Sequence, residues 1–540
     1  MATPIEDLRA AVGDAAAELR NGDPADFTLE RPRQAGFGDF STNAAMLLAP
    51  ALKAPPREIA ERLGEGLSAR LGDQVERVEV AGPGFLNLFL SDAWYTGAAA
   101  RILEADDGWG AGVAERPERV LVEFVSANPT GPLTAASGRH AAYGDGLARL
   151  LELAGHEVAR EYYFNDAGSQ LIKLGESIQA RARGEEPPEG GYQGEYVAEL
   201  AAEIRGAAER DPEELAVEGG HILIGRIKET LERYRVTFDV WFSELTLHEG
   251  EPSAIARAFR QVDEAGHRYE SEGAMWLRTT TFGDDKDRVL QRSTGDPTYF
   301  AADLAYLDNK IERGFDRLIT PLGSDHHGYL ARMKAAMSTL GADPDRLETP
   351  ILQFVHLVER GERASMSKRR GDFITLEDLI EEIGVDVTRY FMLQRSHDTT
   401  VDLDLDLARD QSAENPVYYI QYAHARIASM LRKAGDERVA AALHSSAEGL
   451  SLEPAERELV KKLLAFPAEV AEAADRRAPH RIAAYALELA QTFTAFYRDC
   501  RVVGAEPEAL ESFRIGLSVA TKRTIARALD VLGVSAPDTM

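Results

Sequence analysis

The chain has 540 residues, 44% apolar and 28% charged, a globular mix that excludes wholesale disorder and fibrous classes and suits three or four domains. Asp and Glu number 90 against 61 Lys and Arg, of which 11 are lysine, so the net charge is −29; alone this argues against a nucleic-acid binder, although a local basic groove can coexist with an acidic exterior adapted to salt. A single cysteine, Cys500, excludes an intrachain disulfide and a multi-thiolate zinc site and suits a reducing cytoplasm. No apolar run of about eighteen residues is present to span a membrane, and the opening MATPIEDLRAAV is not a secretory signal.

Residues 4–20 read as an amphipathic helix, as do residues 55–71, where Pro stands at the start and its missing N–H costs nothing. RVEVAGPGFLNLFL (77–90) predicts two short strands around a Gly-Pro-Gly turn, so the first 110 residues form a small α+β unit. VLVEFV (120–125) is a near-continuous apolar run, as in a buried parallel strand. A Pro/Gly turn and an Ala-rich helix over 135–154 follow it. Strand, turn and helix in this order open a doubly wound α/β nucleotide fold, with ligand at the strand's C-terminal end. Residues 185–196 read as a surface loop and 315–341 as a second strand–turn–helix. Residues 374–395 are helical, and from about 410 to 540 the pattern is a helical bundle with a polar break at 434–454.

Some residues are chemically conspicuous within this frame. Glu123 sits in the apolar strand, where a carboxylate is costly without a partner. Tyr299 and Asp303 are spaced i,i+4 and share a helical face. Asp325-His326-His327 makes a poor metal site, since adjacent His side chains do not readily aim at one ion. Tyr418, Tyr419, Tyr422, His424 and Arg426, with Phe496, Tyr497 and Arg501 later, suit unpaired bases, while a bundle must also bury many of its aromatics. Asp386 and Arg389, spaced i,i+3, read as a helix-surface pair.

The segments FGDFSTNAAMLLA (37–49), SANPTGPL (126–133), SMSKRRGDFITLEDLIEEIGVDVTRYF (365–391) and NPVYYIQYAHARIASMLRKA (415–434), with the ending LDVLGVSAPDTM, stand in the order found in arginyl-tRNA synthetases, a class I family that the chain resembles over essentially its whole length. The resemblance implies a multidomain α/β protein with a Rossmann-like parallel-sheet catalytic core. Its division would be an N-terminal domain binding the tRNA D-loop (1–110), a catalytic domain (111–375) with a connective insertion at about 185–295, linking helices (376–410) and a helical anticodon-binding domain (411–540). It implies ATP-dependent formation of arginyl-adenylate and transfer to the 3′ end of tRNA(Arg), with activation requiring tRNA. Magnesium would be held by the ATP phosphates and not by the chain, and the protein would be a cytoplasmic monomer with no membrane partner.

The resemblance also assigns residues. Lys368, with Met366 and Ser367, belongs to the KMSKS-type loop, where an ammonium stabilises the charge developing as pyrophosphate leaves; Ser365 stands at the motif's first lysine, and Arg370 is a substitute for that charge. The HIGH motif, two histidines at a helix N-terminus, reads Thr134-Ala135-Ala136-Ser137, retaining two hydroxyls, with His140 on the face of Ser137. ATP would meet Pro129, Gly131, Thr134, Ser137, Gly323 and Lys368. Arginine would be held by Glu123 and Asn128 near its α-amino end, by Tyr299 and Asp303 around the guanidinium, and by His326. Asn165, Asp166 and Gln170 would orient the terminal ribose, Phe85 and Asn87 would touch the D-loop, and Tyr422 would serve the anticodon. The altered HIGH motif leaves open a noncatalytic tRNA- or arginine-binding paralogue, against which Lys368 argues. A nucleotidyltransferase for another substrate is argued against by Glu123, Tyr299 and Asp303.

Overall fold

The computed structural model describes residues 3–20, 26–32, 34, 36–166, 168–324, 328–363 and 374–540. The N-terminal unit runs α1 (Pro4–Arg20), β1 (Leu29–Glu30), β2 (Phe40–Thr42), α2 (Ala44–Leu52), α3 (Pro56–Leu71), β3 (Val75–Ala81), β4 (Phe85–Leu90) and α4 (Asp92–Ala105). Its antiparallel sheet has the order β1-β2-β4-β3. Alternation along β4 sends Leu86, Leu88 and Leu90 into the core with Ile59, Leu63 and Leu67 of α3. The turn between β3 and β4 needs glycine: Gly84 has φ +140°, and a Cβ there would lie 2.7 Å from the Pro56 Cβ.

The central unit begins with β5 (Arg119–Glu123), α5 (Ala135–Ala154) and β6 (Glu157–Phe164). Helices α6 (Ser169–Ala182), α7 (Glu195–Glu203) and α8 (Pro212–Arg233) follow, packed around an apolar cluster of their own. Then come β7 (Val240–Ser243), α9 (Leu245–His248) and α10 (Ala254–Glu264), an antiparallel meander β8 (Arg268–Ser271), β9 (Ala274–Leu277) and β10 (Arg288–Gln291), and α11 (Tyr299–Glu312). The unit continues with β11 (Arg317–Ile319), β12 (Leu322–Gly323), α12 (Tyr329–Thr339), β13 (Leu347–Glu348) and β14 (Ile351–Leu352). The main sheet is parallel throughout, in the order β13-β11-β5-β6-β7. Val120–Glu123 is buried on both faces, which explains its unbroken apolar run. The chain leaves β5 toward β6 and β7 and later returns to its other edge as β11. The C-terminal end of β5 is therefore the switch point at which such sheets bind ligands. The stretch 185–295 is not one continuous insertion, because it contains β7, a strand of this sheet.

A three-stranded sheet of β15 (Val355–Glu359), β16 (Glu362–Arg363) and β17 (Val401–Asp404) flanks α13 (Leu376–Ile383), α14 (Val385–Leu393) and α15 (Leu405–Arg409). Residues 376–410 thus hold a strand paired in parallel with β15 as well as helices. The bundle comprises α16 (Pro416–Ala434), α17 (Asp436–Ala442), α18 (Pro454–Leu464), α19 (Phe466–Asp475), α20 (His480–Asp499) and α21 (Glu508–Val531), with α17 inside the expected polar break. It docks on both preceding units: Lys461 pairs with Asp39 of the N-terminal unit at 2.9 Å, and the Tyr143 hydroxyl of α5 donates to Arg477 O at 2.8 Å. Arg389 is not a surface partner of Asp386. It is buried against Asp145 of α5, while Asp386 takes Arg235, Gln421 and Ser535; the helical spacing was read correctly, but the face it marks is an interface. Among the described residues no helix is long and apolar enough to cross a membrane.

Candidate active site

The chain leaves β5 through two successive left-handed residues, Val125 (φ 68°) and Ser126 (φ 44°). A β-branched residue in that region is strained and persists only where its surroundings over-determine it. They do so here. The Ser126 N–H donates to Phe124 O (2.9 Å) and its hydroxyl to Glu123 Oε1 (2.9 Å), while Tyr163 N–H donates to Ser126 Oγ (3.2 Å). The Ala127 N–H donates to the Tyr162 hydroxyl (3.1 Å), which in turn donates to Ala127 O (2.8 Å). The turn delivers Asn128, whose amide donates to Gln170 Oε1 at 2.8 Å.

A cavity of about 380 Å³ opens beside this turn, lined by Ser126, Asn128, Tyr163, Asn165, Gly168, Gln170, Glu244, Tyr299 and Asp303. Five residues singled out from the sequence (Asn128, Asn165, Gln170, Tyr299 and Asp303) therefore share one cavity. Tyr299, 61% exposed, opens α11; Asp303 follows one turn on. Burial, reinforced by the charges of Glu244 and Glu123 and opposed by Arg332 and Lys310, pushes the Asp303 carboxyl up to about 7. The nearby Arg332 and Lys310 do not cancel the effect of burial and of the two carboxylates.

Glu123 departs from expectation. It is buried but does not line the cavity; Lys310 forms an ion pair with it, and Ser126 donates to its other oxygen. Its charge helps to raise the Asp303 carboxyl, so it acts electrostatically on the same acidic group. Sequence reasoning missed Lys310, Tyr163 and Glu244. Glu244 is buried and accepts from the Tyr163 hydroxyl at 2.5 Å, and burial together with that carboxylate pushes the Tyr163 phenol well above its usual range. An acid directly after strand-like VWFS was the available signal, since ligands gather at the carboxyl ends of parallel strands. Asp166 lines no part of the cavity: its oxygens accept from the Ser243 hydroxyl and from Leu245 N–H (3.0 Å), tying β6 to β7.

On the nucleotide side, Thr134 caps α5, accepting from Ser137 N–H at 3.2 Å, with the two hydroxyls 3.2 Å apart. With the Ser137 N–H engaged by this cap, the Ala136 N–H and the helix dipole are what this end offers a phosphate. Ala135 N–H donates to Ile374 O (3.1 Å) and Leu376 N–H to Leu133 O (2.8 Å), so the start of α5 is bridged to the segment just beyond the lysine loop. Gly131 lies against Tyr196, whose hydroxyl donates to Thr130 O at 2.8 Å. Pro129 is buried, and Gly323 and His140 are half-buried. Met366, Ser367, Lys368 and His326 lie outside the described residues.

Of the residues expected to touch nucleic acid, Phe85 is 39% exposed and Asn87 only 4%. Asn87 sits on the central strand β4, opposite Ser41 on one side and Glu79 on the other, and so is withdrawn from solvent. On the bundle, Tyr418 and Tyr422 stack at 6.1 Å with rings 7° apart, and the Arg426 guanidinium lies 4.7 Å over Tyr422. Tyr422 and Tyr497 are exposed, whereas Phe496 and His424 are core.

Three family models match the chain: an arginyl tRNA synthetase N terminal domain over residues 6–90, a tRNA synthetases class I (R) catalytic domain over 217–429 and a DALR anticodon binding domain over 420–540. The sequence is 45% identical to the arginine–tRNA ligase of Moorella thermoacetica, covering 98% of this chain and 97% of that one. It is 43% identical to the arginine–tRNA ligase of Bacillus subtilis, covering 99% and 98%. The fold is similar to Thermus thermophilus arginyl-tRNA synthetase, with a TM-score of 0.77 at 25% identity, covering 99% of this chain and all of that one.

Proposed function

Since the chain belongs to the arginyl-tRNA synthetase family, ligases with a class I catalytic domain, we propose that the cavity beside β5 is its arginine pocket and the N-terminus of α5 its ATP site. The chain is an arginine–tRNA ligase, using ATP to join L-arginine to tRNA. The observation that carries the assignment of the pocket is that two acids, Asp303 and Glu244, line the same cavity. A guanidinium is planar, permanently charged and satisfied by carboxylates on its donor edges.

In this reading Asp303 and Glu244 hold the guanidinium and Tyr299 covers it at the mouth. Asn128, Asn165 and Gln170 hold the α-amino and carboxylate groups and, in the second step, meet the terminal ribose. The arginine carboxylate attacks the α-phosphate of ATP and pyrophosphate leaves. The chain supplies no covalent nucleophile; it acts by positioning and by donors aimed at developing charge. Thr134 and Ser137, aided by the α5 dipole, donate to phosphate oxygens, and Lys368, with Met366 and Ser367 in the same loop, stabilises the leaving group. His326 would add a donor at the pocket. Magnesium would arrive on the ATP phosphates.

Phe85 would stack on a D-loop base, and Tyr422 with Arg426 and Tyr497 on anticodon bases. The domain limits given above, without 185–295 as one continuous insertion, activation that waits for tRNA(Arg), a monomer and a cytoplasmic location belong to the same reading. No observation favours the noncatalytic alternative. Charging total tRNA with each of the twenty amino acids tests the reading: arginine alone is expected to be esterified, and charging with a different amino acid would refute it.

A further inference from the structure

Helix α11 sets Tyr299, Asp303, Tyr306 and Lys310 on one face, at steps of four, three and four residues. The last of these is a buried lysine beneath a pocket that takes a cation. Its ammonium lies 4.2 Å over the Tyr306 ring and pairs with Glu123, which also accepts from Ser126 (2.9 Å) and Thr320 (3.5 Å). Glu161, one layer further, is taken by the Tyr306 hydroxyl (2.5 Å) and Arg313 (2.6 Å). Glu244 has one oxygen engaged by Tyr163. Asp303 makes no hydrogen bond to a described residue, and burial, with the charges of Glu244 and Glu123, pushes its carboxyl up to about 7.

We infer that Lys310 is a specificity-determining residue of the arginine pocket: by engaging Glu123 it withdraws one carboxylate and leaves two, Asp303 and Glu244, for the incoming side chain. This rests on the reading of the cavity as the arginine pocket. The arrangement distinguishes between cations. Two carboxylates in one wall match the donor edges of a flat guanidinium with five N–H groups. A third, were Glu123 free, would turn the wall into a cage in which the three donors of a compact ammonium are equally well served. Lys310 also places a positive charge at the depth an ammonium would have to reach to find Glu123. It therefore acts through Glu123, as a positioning residue, against lysine and ornithine.

The test compares wild type, Lys310→Met and the double variant Glu123→Gln with Lys310→Met, all checked for folding by thermal melting. Arginine kcat and KM are measured in aminoacylation, with lysine and ornithine as competitors. Lys310→Met should leave the arginine KM and kcat within a few-fold of wild type and should shrink the preference for arginine over ornithine roughly tenfold, the scale on which the competitor gains one hydrogen bond to a charged group. The double variant, with no third carboxylate, should recover that preference to within a few-fold of wild type. A folded Lys310→Met protein with an unchanged preference would overturn the inference, as would a folded double variant that has lost it. If the single variant does not fold, the double variant alone decides. A wild type inactive toward arginine would instead refute the reading of the pocket.

Discussion

Arg389 and Asp145, 0% and 1% exposed, form an ion pair at 2.5 Å that joins α14 to α5, the helix beginning at the proposed ATP site. Arg389 also donates to Leu532 O (2.8 Å), at the end of the bundle, and to Tyr234 O (2.9 Å), at the end of α8. Gly533, at φ +64°, is required there, because a Cβ would lie 2.3 Å from the guanidinium. Arg389→Met leaves Asp145 to Arg149 (2.8 Å) and leaves the Leu532 and Tyr234 carbonyls without this donor, so it should cost about 3 kcal/mol. Arg389→Met combined with Asp145→Leu should cost less than the single change. Denaturant melts of both variants check this; a single variant within about 1 kcal/mol of wild type would contradict it.

Asp303→Asn should weaken arginine by about 1.5–3 kcal/mol, the worth of a hydrogen bond to a charged group, and should leave ATP binding nearly unchanged. Citrulline is the sharper probe, because it keeps the shape of arginine without the charge. Competition assays should show the preference for arginine over citrulline collapsing in the variant. If both the arginine KM and that preference hold, Asp303 does not anchor the guanidinium.

The raised pKa of Asp303, from 3.8 to about 7, gives arginine binding a pH dependence. Below about 7 the empty pocket holds a proton on Asp303, and a guanidinium must displace it. The arginine KM should fall as pH rises from 5.5 toward 7.5, by up to roughly tenfold per pH unit, and level off above. The effect on stability has the opposite sense. The folded chain binds this proton more tightly than the unfolded chain, so the group's contribution is fully present below 3.8 and is lost as pH rises through about 7. Isothermal titration in buffers of different ionisation enthalpy should detect proton release on binding at pH 6, and Asp303→Asn should abolish it.

Thr134 has two separable duties. As the cap of α5 its loss in Thr134→Ala should cost about 1 kcal/mol of stability, and as a donor to ATP its loss should raise the ATP KM. Thr134→Ser should preserve both. A Thr134→Ala protein destabilised but with unchanged ATP kinetics would confine the residue to capping.

Periodicity made the scaffold legible. α1 at 4–20, the strand pair around Gly82-Pro83-Gly84 and α5 at 135–154 follow the residues that predicted them, since each depends on local spacing. What spacing could not show was which partner covers a residue. Glu123 reads as needing a partner, but Lys310 stands 187 positions away and meets it only because β11 returns beside β5. Asn87 shares a strand face with Phe85, yet Ser41 and Glu79 flank it while Phe85 sits at the strand end. Glu244 lies at the end of a four-residue strand, too short to announce itself by alternation. Tyr299 and Asp303 were found because their relation is local to one helix.

The measurement closest to the central claim is arginine-dependent ATP–pyrophosphate exchange by the wild-type protein, with and without tRNA(Arg). The account predicts exchange that appears with arginine and tRNA together, despite Thr134 and Ser137 at the HIGH positions, and that falls about 100-fold in Lys368→Ala, the scale of losing one donor to developing charge. A folded wild type that shows no exchange and forms no arginyl-tRNA would contradict it.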